Sequence, residues 1–171
     1  GGRNSGKTTI INGIVGQEIR VPDMLSKKEK PLRLAFEEME DDPNFDCVTI
    51  DHEGWCRERV VFYEIKADEI MEDDDTVSPL INRMDCVFYT VSALVPMTGE
   101  DVRVIEALRH LALKVILTKV DMLEGDAVEK VVDFVFDFCR NHALEQPINL
   151  SGKDKAECVR TIRYNIPTPE D

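Results

Sequence analysis

The sequence predicts a three-layer α/β domain: a mostly parallel sheet with one antiparallel edge strand, covered by helices on both faces. Three observations predict it. From residue 85 onward, apolar runs of strand length alternate with longer stretches of helical periodicity. A glycine-rich loop, Gly1-Gly2-Arg3-Asn4-Ser5-Gly6-Lys7-Thr8, opens directly into a helical pattern. The composition, 43% hydrophobic and 32% charged over 171 residues, fits one folded domain rather than a disordered chain.

The elements follow in chain order. Ile10, Ile11, Ile14 and Val15 share one helical face behind the loop, and Gly16 fits a C-cap. Residues 20–31, with Pro22, Pro31, Lys27, Lys28 and Lys30, read as an exposed loop. Residues 32–44 fit neither period and end in the turn Asp41-Asp42-Pro43-Asn44. Residues 45–52 alternate, as a strand with one wet face does. After the turn signal Glu53-Gly54, residues 59–65 form a strand with a continuous apolar centre. These two strands are expected to pair as an antiparallel hairpin. Residues 68–79 are acidic and polar, a surface segment with a short helix before Met84.

The pattern then becomes regular. Residues 85–93 are a buried strand. Thr98-Gly99-Glu100-Asp101 is a capping box, opening a helix that turns Val102, Ile105, Leu108 and Leu111 inward. Residues 114–118 are another buried strand. Asp126 is expected to cap a helix over 127–143, with Val128, Val131, Val132, Val135 and Phe138 in the core. Residues 147–150 are a short strand, and 153–164 a last helix before Pro167 and Pro169.

Charge and cysteine usage exclude several function classes. With 34 acidic against 21 basic residues the formal charge is −13. That balance predicts no direct nucleic-acid contact and no direct contact with an anionic membrane, since both need clustered Lys and Arg. No apolar run approaches the roughly 20 residues of a membrane span. Cys47, Cys56, Cys86, Cys139 and Cys158 show no C-x-x-C spacing, so neither a disulfide framework nor a zinc site is expected. Reduced thiols point to the cytoplasm. His52, His110 and His142 form no metal-type pair.

Two motifs carry chemistry. G-x-x-x-x-G-K-[ST] is a phosphate-binding loop: its glycines let backbone N–H groups turn around phosphates, and the helix start adds a positive dipole end. Gly1, Arg3, Asn4, Ser5, Gly6, Lys7, Thr8 and Thr9 are the candidate nucleotide-binding residues. Lys7 reaches the terminal phosphates as a candidate catalytic residue, and the Thr8 hydroxyl is a candidate Mg²⁺ ligand. Such a loop follows a buried strand, and here the chain starts at its first glycine. Residues 1–171 are therefore expected to be a single domain short of its first strand, a fragment of a longer protein.

The second motif is Thr118-Lys119-Val120-Asp121, at the end of a buried strand. Its carboxylate can accept two hydrogen bonds from guanine N1–H and the exocyclic amine, a donor pair adenine lacks. The Lys119 stem can cover the base. Ser151-Gly152-Lys153, after the next strand, is a candidate base-contacting loop; its plain alternative is a turn before a helix.

With these residues the chain resembles the translation-factor-like class of P-loop GTPases, Era-type and dynamin-type G domains above all. The likeness is most specific over residues 1–19 and 91–123. It implies GTP/GDP and Mg²⁺ as ligands, a protein partner at a switch region, and possible homodimerisation. The acidic residues Glu69, Glu72, Asp73, Asp74 and Asp75 could face such a partner; their plain reading is a solvated loop.

The sequence departs from that family's pattern at the switches. Asp51-His52-Glu53-Gly54 matches the letters of the family's D-x-x-G motif, whereas Glu64-Ile65-Lys66-Ala67 matches its place at the end of a buried strand. The place favours Glu64 as the candidate catalytic and metal residue, with Asp51 the alternative. Between Thr9 and Thr49 there is no threonine to close on a γ-phosphate, and Ser26 is that loop's hydroxyl residue. No glutamine stands ready to orient water; Trp55 or Asp68 holds that position. The expected function is guanine-nucleotide binding with slow or partner-assisted GTP hydrolysis. The alternatives are a G-fold scaffold with static or weak nucleotide binding and a P-loop kinase or ATPase. The last is disfavoured by T-K-V-D.

Overall fold

The computed structural model describes residues 1–2, 5–19, 30–55, 59–72 and 75–167. Arg3, Asn4, Ser26, Asp73 and Asp74 lie outside the described residues.

Helix α1 (Lys7–Val15) leaves the glycine-rich loop and ends at Gly16, whose backbone N–H closes on the Asn12 carbonyl at 2.9 Å as a C-cap. Strands β1 (Leu32–Ala35), β2 (Asp46–Thr49) and β3 (Val61–Glu64) follow, then short helices α2 (Ala67–Met71) and α3 (Val77–Ile81). Strand β4 (Val87–Ser92), α4 (Gly99–Leu108), β5 (Leu113–Thr118), a 3-10 turn (Val120–Met122), α5 (Asp126–Asn141), β6 (Ile148–Asn149) and α6 (Lys155–Asn165) complete the order. The strands form two three-stranded sheets among the described residues, ordered β2-β1-β3 and β4-β5-β6.

The second sheet is parallel throughout, as the alternation of strands and helices predicts. The first corrects the expected hairpin. Strands β2 and β3 do not pair; β1 lies between them, parallel to β2 and antiparallel to β3. Among the described residues the antiparallel strand is β3, at one end of its sheet, while β2 at the other end runs parallel to its neighbour. All four residues of β1 are buried, which places it inside the sheet. Its sequence, L-R-L-A, hides that role because Arg33 interrupts the apolar run. The guanidinium is accommodated by donating to the Glu40 carbonyl at 2.8 Å.

Two cores cover the two faces. Strand β5 feeds both, as side-chain alternation requires: Val115 and Leu117 join a core with Val104, Ile105 and Val135, while Ile116 joins Ile10, Ile14, Trp55 and Ile162. The Thr98–Asp101 capping box is present on α4. The expected cap of α5 is not: Gly125 holds the N-cap, and Asp126 is the first helical residue. Of the expected α5 core only Val135 is fully buried, together with Cys139. On α4 Val104 replaces the expected Val102 among the buried residues. Cys47, Cys86, Cys139 and Cys158 are free thiols. No described helix is long and apolar enough to cross a membrane.

Among the described residues β3 pairs only with β1, and β4 only with β5. Their facing edges are separated by a cavity of about 690 Å³, lined in part by Ile10, Ile14, Phe62, Ile65, Val87 and Phe88.

Candidate functional site

The glycine-rich loop lies over the carboxyl ends of the strands, where open α/β sheets bind ligands. Ser5 is buried and shares a 2.7 Å hydroxyl–hydroxyl hydrogen bond with Thr90 of β4. The Thr118 hydroxyl donates to the Ser5 carbonyl oxygen at 2.5 Å. Gly6 takes a left-handed φ of +89°, and a side chain there would come within 2.9–3.1 Å of Thr118. Only glycine fits this turn. Gly6 also caps α1 without a side chain, and the first turn carries no acidic residue. The first-turn N–H groups and the positive dipole end thus face the loop, an arrangement suited to an anion.

Lys7 folds back over the loop and donates to the Gly2 carbonyl at 3.3 Å. Burial holds its ammonium below the ordinary lysine range, and the Glu64 carboxylate partly offsets that. Glu64 is 7% exposed at the end of β3, close enough to act on Lys7's charge. Asp51 lies elsewhere. The fully buried Trp55 donates its indole N–H to the Ile14 carbonyl at 3.0 Å. That bond fixes the D-H-E-G turn against the far end of α1, about 10 Å along the helix from Lys7. The structure therefore brings Glu64, not Asp51, to the phosphate loop. Ala67, three residues past Glu64, donates its backbone N–H to the Gly1 carbonyl at 3.0 Å.

The residues of T-K-V-D meet the loop at the same end. Thr118 closes β5, and Lys119 takes a left-handed φ of +61° to start the 3-10 turn that presents Asp121. The carboxylate of Asp121 is paired with the Lys153 ammonium at 2.5 Å. That hydrogen bond holds the Asp121 carboxyl below the usual carboxylate range. Gly152, at φ +77°, presses against the first turn of α1: a side chain there would come within 3.0–3.1 Å of Thr9. Ser151, Gly152 and Lys153 are thereby set beside both Thr9 and Asp121.

Sequence reasoning missed two residues under the loop. Thr90 fits a buried strand as well as any residue, and nothing local marks its bond to Ser5. Tyr89 donates its hydroxyl to the Asp101 carboxylate at 2.7 Å, while the other carboxylate oxygen accepts from Thr98 N–H at 2.9 Å. The capping box alone explained Asp101, so its second bond gave no signal. No group of three His, Cys, Asp or Glu suited to a metal occurs among the described residues. The donors at the phosphate loop, the Thr8 hydroxyl and the Glu64 carboxylate, are hard oxygens of the kind Mg²⁺ takes together with phosphate oxygens.

No family model matches the chain. GTPase Era of Ruminiclostridium cellulolyticum is 27% identical over 132 residues, which are 76% of this chain and 41% of that protein. The chain thus spans less than half the length of that curated relative. Three solved structures are similar. Era in complex with MgGDPNP and nucleotides 1506–1542 of 16S ribosomal RNA has TM-score 0.60 and 16% identity, over 100% of this chain and 56% of that one. The bacterial selenocysteine-specific elongation factor EF-Sec has TM-score 0.57 and 13% identity, over 95% and 26%. An oligomerised bacterial dynamin pair, described in the sensing and tethering of membranes, has TM-score 0.56 and 12% identity, over 93% and 33%. The fold is that of a P-loop GTPase G domain, of the kind found in Era and the bacterial dynamins.

The comparison corrects one expectation. A formal charge of −13 was expected to rule out direct nucleic-acid contact. The Era structure carries this same fold and is solved with ribosomal RNA bound. Net charge describes the average field of one domain, not the contacts of one face or of the rest of a longer chain. The acidity therefore excludes no such partner.

Proposed function

We propose that this G domain binds GTP and GDP and hydrolyses GTP slowly or with a partner's help. One observation carries the reading: the Thr118 hydroxyl on the Ser5 carbonyl ties the phosphate cradle and the base-recognition turn to one end of the sheet. A nucleotide would lie along that end with its phosphates on the glycine-rich loop and its base at Asp121. The loop's N–H groups and Lys7 would take the phosphate charge, and Asp121 would accept from guanine N1–H and its amine. Thr8 and Glu64 would hold Mg²⁺, which neutralises charge on the terminal phosphates when bound. The same reading places the domain in the cytoplasm, where thiols stay reduced.

The test is binding of GDP and GTP with and without Mg²⁺. Micromolar or tighter affinity is expected, and Asp121→Asn weakens both guanine nucleotides by about tenfold or more. The reading is wrong if millimolar GDP and GTP leave the melting temperature unchanged, or if ATP binds better than GTP.

A second reading, a G-fold scaffold with static nucleotide binding, is favoured by the Ala67 N–H. In the family pattern the glycine N–H at this position senses the γ-phosphate; here it is already given to the Gly1 carbonyl. A switch needs contacts that differ between nucleotide states. Single-turnover phosphate release separates the readings: no release above a Lys7→Ala control supports the scaffold.

A further inference from the structure

The Asp121 carboxylate has a competitor for its ligand inside the chain. Guanine engages such a carboxylate through two donors at once, N1–H and the exocyclic amine, and so needs both oxygens. In the structure one of them, Oδ2, is held by the Lys153 ammonium at 2.5 Å. Neither partner drifts freely. Asp121 sits on the 3-10 turn set by Lys119, whose carbonyl accepts from Met122 N–H at 3.0 Å. Lys153 follows Gly152, which is wedged against Thr9, and its backbone N–H donates to the Ser151 hydroxyl at 3.3 Å. Both side chains reach solvent, at 66% and 38% exposure, so the pair is open to exchange.

We propose that Lys153 competes with the base for Asp121 and thereby sets how strongly the site prefers guanine over hypoxanthine. Hypoxanthine lacks the 2-amino group. It presents only N1–H, which Oδ1 can accept while Lys153 keeps Oδ2. Guanine's second donor must compete with the Lys153 ammonium at Oδ2. The ion pair thus subtracts more from guanine binding than from hypoxanthine binding, lowering the selectivity that the second hydrogen bond would otherwise give. An exposed pair of this kind is worth about a two- to fivefold change in affinity.

The inference rests on the guanine reading above, and its test separates the two. Lys153→Met keeps the aliphatic stem and removes the charge. GDP and IDP affinities are measured by titration calorimetry for wild type and variant. The expected result is GDP binding tightened in K153M, with the ratio of GDP to IDP affinity raised about two- to fivefold. The GDP difference is expected to shrink at high salt, where screening weakens the exposed pair in the wild type. Wild-type protein that binds neither nucleotide overturns both readings. Wild-type binding with GDP weakened or unchanged in K153M, or GDP and IDP tightened equally, overturns this inference alone.

Discussion

The hydroxyl of Thr118 donates to the carbonyl oxygen of Ser5, 113 positions away in sequence, at 2.5 Å. Thr118 ends β5 and opens T-K-V-D; Ser5 lies inside the glycine-rich loop. The same hydroxyl lies 3.2 Å from the Val91 carbonyl, so it joins three segments at the carboxyl ends of two strands. The residue that opens T-K-V-D is thus also the anchor of the loop that would hold the phosphates.

Thr118→Val keeps the branched shape and deletes the hydroxyl. Buried at 1% exposure, it leaves the Ser5 carbonyl without this donor. Stability is expected to fall by about 1–3 kcal/mol, the usual cost of an unsatisfied buried polar group. Urea denaturation measures it. Nucleotide affinity is expected to fall as well, because the loop loses its tie to β5. Unchanged stability would mean that the bond to Ser5 contributes nothing.

Lys7 gives a pH dependence whose sign is fixed. Burial lowers its pKa below the ordinary lysine value of 10.5. Between the lowered value and 10.5 the unfolded chain carries more protons than the folded one, so stability rises with pH across that window. Below the folded value the penalty of the buried charge is fully present. Lys7→Met removes it. The variant is expected to be more stable than wild type at pH 7, with the gap narrowing as pH approaches 10.5, and to lose nucleotide binding. Urea titrations of both proteins from pH 7 to 10 read the gap directly. A gap that stays constant or widens with pH contradicts the burial account.

What the sequence revealed and what it hid have physical reasons. The stretch from β4 to β5 was legible because strands flanked on both sides read as continuous apolar runs. The Thr98–Asp101 box was legible because capping is local. Strand β1 was hidden by Arg33, whose accommodation depends on the distant Glu40 carbonyl. The supposed hairpin of β2 and β3 failed because strand pairing is not encoded in either strand's own alternation. At the site, spacing alone assembled Lys7, Thr118 and Asp121 into one reading. Its place at a strand end favoured Glu64 over Asp51, but only the packing of Trp55 on Ile14 shows that the D-H-E-G turn lies at the other end of α1 from Lys7. Spacing could not show Lys153 on Asp121 either, a contact made by two loops 32 residues apart.

The cavity between β3 and β4 predicts its own filling. The Gly1 carbonyl accepts from Ala67 N–H, just past the end of β3. A side chain on Gly1 would overlap Thr90 of β4. Gly1 thus marks the carboxyl ends of both facing strands, so a segment entering it along the cavity runs parallel to both. Covering the edge of Val61–Glu64 takes about four or five residues at about 3.3 Å each. Ile10 and Ile14 line one side and Leu80 and Leu108 also face the space, so an apolar, β-branched segment suits it. Protein extended before Gly1 by five valine and isoleucine residues is expected to be more stable than protein extended by five serines and glycines. The gain is on the order of a few kcal/mol: about 1.5–3 kcal/mol for each buried side chain against about 1–2 kcal/mol for each ordered residue. Hydrogen exchange adds an independent readout, since β4 backbone amides facing the cavity would slow only when a strand pairs with them. Equal stability and equal exchange in the two extended proteins would show that the space between the sheets does not take a strand.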